Sequence, residues 1–149
     1  MMPVLLPLSY ALGALPLGYW LARRRGVDLR TASPYTLGLE TALRRLGLGL
    51  TLLAFLLDFA KGYLPLALGR GLGLGVEELL ALGVAVYLGH LYPLFFRDPW
   101  PLRAKGAGVL LGVLAGLPLE PAWGMVPVAL GLALYALTGY ASLGALGLP

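Results

Sequence analysis

Hydrophobic positions run almost unbroken along this chain, and polar positions gather in a few short intervals between them. Residues 3–22, PVLLPLSYALGALPLGYWLA, are all uncharged. At about 1.5 Å of rise per residue, a helix of this length crosses the roughly 30 Å hydrocarbon core of a bilayer. The pattern therefore predicts a first membrane helix. Similar runs predict a second span over 46–69 and a third over 76–96. A short apolar segment follows over 106–119, and a fifth span over roughly 125–145, with Pro118, Pro121 and Pro127 punctuating the interval between them. Glu120 and Trp123 mark an interface there, since the amphipathic indole suits headgroup depth.

Apolar residues make up 59% of the 149 positions and charged residues only 12%, about half the charged share of a soluble domain. A soluble fold would lack the polar surface to cover itself. In lipid every backbone group must be satisfied internally, and these runs are too long and too weakly alternating for barrel strands. The expected fold class is an all-α integral membrane protein, a polytopic bundle of about five transmembrane helices, with residues 1–149 forming a single membrane domain.

The longest polar interval is RRRGVDLRTASPYTLGLETALRR, and it holds Arg23, Arg24, Arg25, Arg30, Arg44 and Arg45. Arg97, Arg103 and Lys105 fall in the interval after the third span, so by odd-even counting nine of the eleven basic residues share one face. The positive-inside rule makes that face cytoplasmic and sets the N-terminus outside. The Arg triplet follows the first apolar run, an order opposite to that of a cleaved signal peptide. A net charge of +4 on such a chain points to anionic lipid headgroups or an anionic substrate at the membrane, and not to nucleic acid. The glycine-rich turn GRGLGLG lacks the Lys-Ser/Thr of a phosphate loop, and Glu77 and Glu78 suit the first turn of the third helix. The chain has no Cys, and its lack of Asn and Gln fits a thermophile, whereas the absence of Ile looks like coding bias.

Few groups within the spans can do chemistry. Asp58 and Lys61, at i, i+3, share a helix face and partly neutralise each other, the expected signature of a structural intramembrane pair. His90, the one histidine, lies near the inner end of the third span. It is the candidate catalytic group, and a competing reading has it fix the following loop by hydrogen bonding. One His without Cys makes no zinc site. The inner-face cations Arg30, Arg44, Arg103 and Lys105 suit a ligand that carries both a phosphate and an acyl chain.

Six stretches then resemble a known family, the bacterial acyl-phosphate:glycerol-3-phosphate acyltransferases. LGALPLGYWLARRRGVDLR is similar to that family's first helix and its exit. Arg30–Gly47 aligns without a gap on its first motif, RKHGSGNIGATNVLRVLG, keeping Gly38, Leu43, Arg44, Leu46 and Gly47. LDFAKGYLP is similar to LDxxKGxxP, GHLYPLFF to GHxxPxF, and AKGAGVLLG to the following KGGKGVATGLG, with Lys105, Gly106 and Gly112 retained. LTGYASLGAL resembles LTRYVSLASI. The resemblance implies a membrane enzyme without metal or nucleotide cofactor that acylates glycerol-3-phosphate from an acyl phosphate. It further implies that Arg44, Lys105, Thr36, Thr41 and Arg30 bind substrate phosphate.

The departures are specific. Pro34 stands where the family has Ser, and Thr36 and Thr41 stand where it has Asn. Thr keeps a donor and an acceptor, but Pro offers neither a hydroxyl nor an N–H. The double glycine of the second motif is gone, and the third motif, HRENIxRLLxGxE, has no counterpart in these residues. These departures predict little or no acyl transfer. Two function classes follow from them: an acyltransferase, or a catalytically inactive relative acting as a membrane partner or phospholipid-binding subunit. The sequence names no protein partner.

Overall fold

The computed structural model describes residues 1–28, 39–94 and 106–118, with the side chains of 39–41 set aside. Within them lie α1 (Met2–Ala14), α2 (Leu17–Arg24), α3 (Leu39–Gly71), α4 (Val76–Leu91) and α5 (Ala107–Gly116). No strand occurs among the described residues. Met2–Arg24 and Ala42–Gly71 are each long and apolar enough to cross a membrane. The expected fifth span and the interface residues Glu120 and Trp123 lie outside the described residues.

The first expected span is not one helix but two. Pro16 has no N–H, so the bond a continuous helix would make back to Leu12 is missing. The chain turns there at φ −85°, ψ 62°, and Leu17 N–H reaches the Leu15 carbonyl at 3.0 Å, the form of an inverse γ-turn. α2 then runs to a glycine terminus. Gly26 sits at φ 74°, Val27 N–H donates to Ala22 O and Gly26 N–H to Arg23 O, which is a Schellman cap.

Other boundaries also move. A helical stretch from Leu39 precedes the second expected span, and the two are separated at Gly47, whose backbone (φ 76°, ψ 172°) is not helical. Arg44 and Arg45 thus lie on a helical arm before the kink. α4 opens with Gly75 N–H bonded to Glu78 Oε2 at 2.9 Å, which satisfies a donor that the helix start leaves free. It stops at Leu91 and not at 96, just before Pro93, and the Tyr10 hydroxyl donates to the Tyr92 carbonyl just beyond it.

Glycines set how closely the helices approach. A Cβ on Gly62 would stand 2.1 Å from the Val109 carbonyl oxygen, and one on Gly112 would stand 2.0 Å from that of Phe59. α3 and α5 therefore meet backbone to backbone. They run parallel, since Gly108 abuts Asp58 and Gly116 abuts Leu66. α1 and α4 cross in the same manner, Gly13 against Val86 and Gly89 against Tyr10. Small residues at a helix contact let dispersion and weak polar contacts act over short distances where lipid gives no hydrophobic drive.

The buried cluster is Leu66, Leu79, Leu82, Val86, Val109, Val113 and Leu117. Leucines and valines at four-residue spacing are exposed on the outside: Leu48, Leu52, Leu56, Leu64 and Leu68 on α3, and Val76, Leu80, Val84 and Leu88 on α4. Such apolar stripes face lipid. Among the described residues the buried polar side chains are Ser9, Thr51 and Lys61, the last only 2% exposed.

Candidate functional site

Lys61 is the centre of a polar knot where several elements meet. Its ammonium lies 2.8 Å from Asp58 Oδ1 one helical turn earlier, 2.8 Å from the Leu15 carbonyl oxygen, 3.3 Å from His90 Nδ1 and 3.5 Å from the Gly13 carbonyl oxygen. The C-terminal end of α1, the middle of α3 and the last turn of α4 all converge on this one nitrogen. The break at Pro16 makes the convergence possible. It turns the Leu15 carbonyl out of the helical ladder, leaving a lone pair for an ammonium as well as for Leu17 N–H.

The electrostatics follow from the donor inventory. A buried ammonium needs a counter-charge and acceptors for its protons. Asp58 supplies the charge, and Leu15 and His90 supply the other acceptors. An ammonium has no lone pair, so in the Lys61–His90 contact the lysine donates and Nδ1 accepts. The network thereby assigns the ring proton of His90 to Nε2.

The other side of the His90 ring meets the start of α5. Gly106, the residue that opens that helix, has φ 64°. A Cβ there would stand 2.8 Å from Tyr87 Cε2 and 3.0 Å from His90 Cδ2. Only glycine fits both the left-handed backbone and the two rings. Asp58 packs against the same helix, its Cβ 2.9 Å from where a Cβ on Gly108 would lie. The knot therefore reaches from α1 through α3 and α4 to the first turn of α5.

Among the residues expected to bind phosphate, the structure places one side chain. Arg44 is exposed on the arm of α3 ahead of the Gly47 kink. Arg30, Thr36 and Lys105 lie outside the described residues, as does the side chain of Thr41. Lys105 directly precedes Gly106 in sequence. At the exit of α2, Arg23 Nη1 donates to the Tyr19 hydroxyl at 2.6 Å. No group of three His, Cys, Asp or Glu side chains that could hold a metal occurs among the described residues.

Sequence reasoning missed two contributors, the Leu15 and Gly13 carbonyls. Pro16 inside an apolar run was the available signal for the first. Tyr87, which walls Gly106 beside His90, carried no signal beyond its i, i+3 spacing from the histidine.

A helical bundle that turns apolar stripes outward and holds an ion pair inside is an all-α integral membrane protein, and comparison with known proteins narrows the class further. The family described as glycerol-3-phosphate acyltransferase matches residues 3–148, and the chain belongs to that family. It is 38% identical over 141 residues to glycerol-3-phosphate acyltransferase 1 of Deinococcus radiodurans, covering 93% of this chain and 68% of that protein. It is 33% identical over 143 residues to the glycerol-3-phosphate acyltransferase of Geobacter sulfurreducens, covering 96% and 71%. Its fold is similar to the crystal structure of PlsY (YgiH), an integral membrane glycerol 3-phosphate acyltransferase, in the glycerol 3-phosphate form. That match has a TM-score of 0.83 at 30% identity and covers 97% of this chain and 70% of the other.

Proposed function

We propose that this chain transfers an acyl group from an acyl phosphate dissolved in the membrane to glycerol-3-phosphate, forming lysophosphatidic acid and inorganic phosphate. The glycerol hydroxyl oxygen bonds to the acyl carbon and the acyl–phosphate C–O bond breaks. The departing phosphate keeps the electron pair, and the hydroxyl proton passes to a phosphate oxygen. The single observation that carries this reading is the fold shared, at a TM-score of 0.83, with an acyltransferase crystallised in its glycerol 3-phosphate form. The retained Arg44 and Lys105, with Arg30, Thr36 and Thr41, bind the substrate phosphates. His90 is the candidate catalytic group, acting as an N–H donor because its Nδ1 is occupied by Lys61.

In this reading residues 1–149 form one multi-pass domain of the bacterial inner membrane. The C-terminal ends of α1 and α4 and the start of α5 lie at the cytoplasmic face, where glycerol-3-phosphate is soluble. The N-terminus lies outside, in keeping with the basic residues at the opposite end of the first span. Purified protein in lipid vesicles, given glycerol-3-phosphate with either an acyl phosphate or an acyl thioester, tests the donor. Lysophosphatidic acid detected by mass spectrometry with the acyl phosphate alone is the expected result. Product from the thioester alone overturns the assignment of the donor.

A further inference from the structure

We propose that Lys61 is a positioning residue for the reaction, holding His90 in the tautomer whose Nε2–H is offered to an anionic oxygen of the reactants at the start of α5. This inference rests on the acyltransferase reading and deepens it.

Three observations carry it. First, Lys61 is 2% exposed, so its ammonium reaches no substrate; whatever it contributes passes through a neighbour. Second, its acceptors differ in what they gain. The Leu15 and Gly13 carbonyls and Asp58 satisfy the charge, whereas the contact to His90 Nδ1 at 3.3 Å decides which ring nitrogen holds the proton. Third, the ring is aimed. Its Cδ2, the carbon bonded to Nε2, lies against Gly106, and Nε2 has no acceptor among the described residues. An N–H fixed in this way is a preorganised donor, worth most where negative charge grows during reaction.

Asp58 completes the logic. Paired with it, the Lys61 ammonium donates to Nδ1. A neutral amine could accept instead, and the ring proton would be free to move to Nδ1. The chain thus uses a carboxylate, an ammonium and an imidazole in series, so that the group facing the reactants is always a donor.

The single histidine makes a direct test available. Protein labelled with 15N-histidine gives one imidazole, whose two nitrogens report where the proton sits. The expected spectrum has Nε2 protonated and Nδ1 bare, and Nε2 shifts when glycerol-3-phosphate or an acyl phosphate is added to wild type. In Lys61→Met both tautomers appear. In turnover, Lys61→Met lowers kcat about 10- to 100-fold, the usual loss when an orienting partner is removed. His90→Gln keeps a side-chain N–H without needing Lys61, so adding Lys61→Met to it costs no further activity. A fall in kcat at constant KM places the donor on the developing oxyanion; a rise in KM for glycerol-3-phosphate places it on a phosphate.

A proton on Nδ1 in wild type overturns the proposal. So does an Nε2 signal that ignores both reactants, or an equal loss from Lys61→Met in the His90→Gln background. Failure of the acyltransferase reading is distinguishable. There Nε2 responds to added glycerol-3-phosphate while no lysophosphatidic acid forms with any donor, whereas a working enzyme with an unresponsive Nε2 overturns this inference alone.

Discussion

The Lys61 ammonium lies 2.8 Å from the Leu15 carbonyl oxygen, forty-six residues away in the chain. That contact joins two features that the sequence presents separately: a proline inside the first apolar run and a charged pair inside the second. Each would be a defect alone. Together the broken helix supplies the acceptor that the buried cation requires.

Stability should depend on the pair as a unit. Asp58→Asn leaves the shape almost unchanged but strands the ammonium, and the expected cost is about 3 kcal/mol, the lower end for an uncompensated buried charge, because Asp58 is itself 27% exposed. Adding Lys61→Met should recover most of that loss. Thermal unfolding in detergent micelles gives the order, with the double variant above Asp58→Asn alone. The reverse order would mean that the charge does not depend on its carboxylate.

Of this site, the Asp58–Lys61 spacing was legible in the sequence, because i, i+3 positions share one helix face whatever the fold. His90 was legible only as a histidine near a helix end. Its meeting with Lys61 depends on how closely α4 and α1 approach, which Gly13 and Gly89 set. The apolar runs located the helices well, but their ends moved wherever a local backbone effect outweighed hydropathy. Pro16 split the first run. A helical arm from Leu39 precedes the break at Gly47, in a segment whose charges had marked it as loop.

The glycine contacts give a second prediction, with an internal control. Gly62→Ala puts a methyl 2.1 Å from the Val109 carbonyl oxygen, whereas nothing lies within 4 Å of a Cβ on Gly49. Gly62→Ala should cost about 1–3 kcal/mol or more as α3 and α5 separate. Gly49→Ala should be neutral or stabilising by about 0.4–1 kcal/mol, since alanine restricts the unfolded chain. Comparing the melting temperatures of the two variants checks the packing of α3 on α5. Equal tolerance at both positions would contradict it.

Orientation can be read directly because the chain has no native Cys. With Arg25→Cys and Leu72→Cys introduced singly, an impermeant thiol reagent added outside intact cells should label position 72 and spare position 25. The reverse pattern would invert the topology, and labelling of both from outside would remove the membrane span between them.

The proposed reaction is tested most directly by phosphate release from an acyl phosphate, measured in vesicles with and without glycerol-3-phosphate. The predicted result is release that requires glycerol-3-phosphate, matches lysophosphatidic acid one for one, and falls at least tenfold in Lys105→Ala. Its rate should lie below that of a relative with Ser and Asn where this chain has Pro34, Thr36 and Thr41, since one lost donor costs on the order of 100- to 1000-fold. Folded protein that releases no phosphate above the protein-free control, or releases it equally without glycerol-3-phosphate, would contradict acyl transfer.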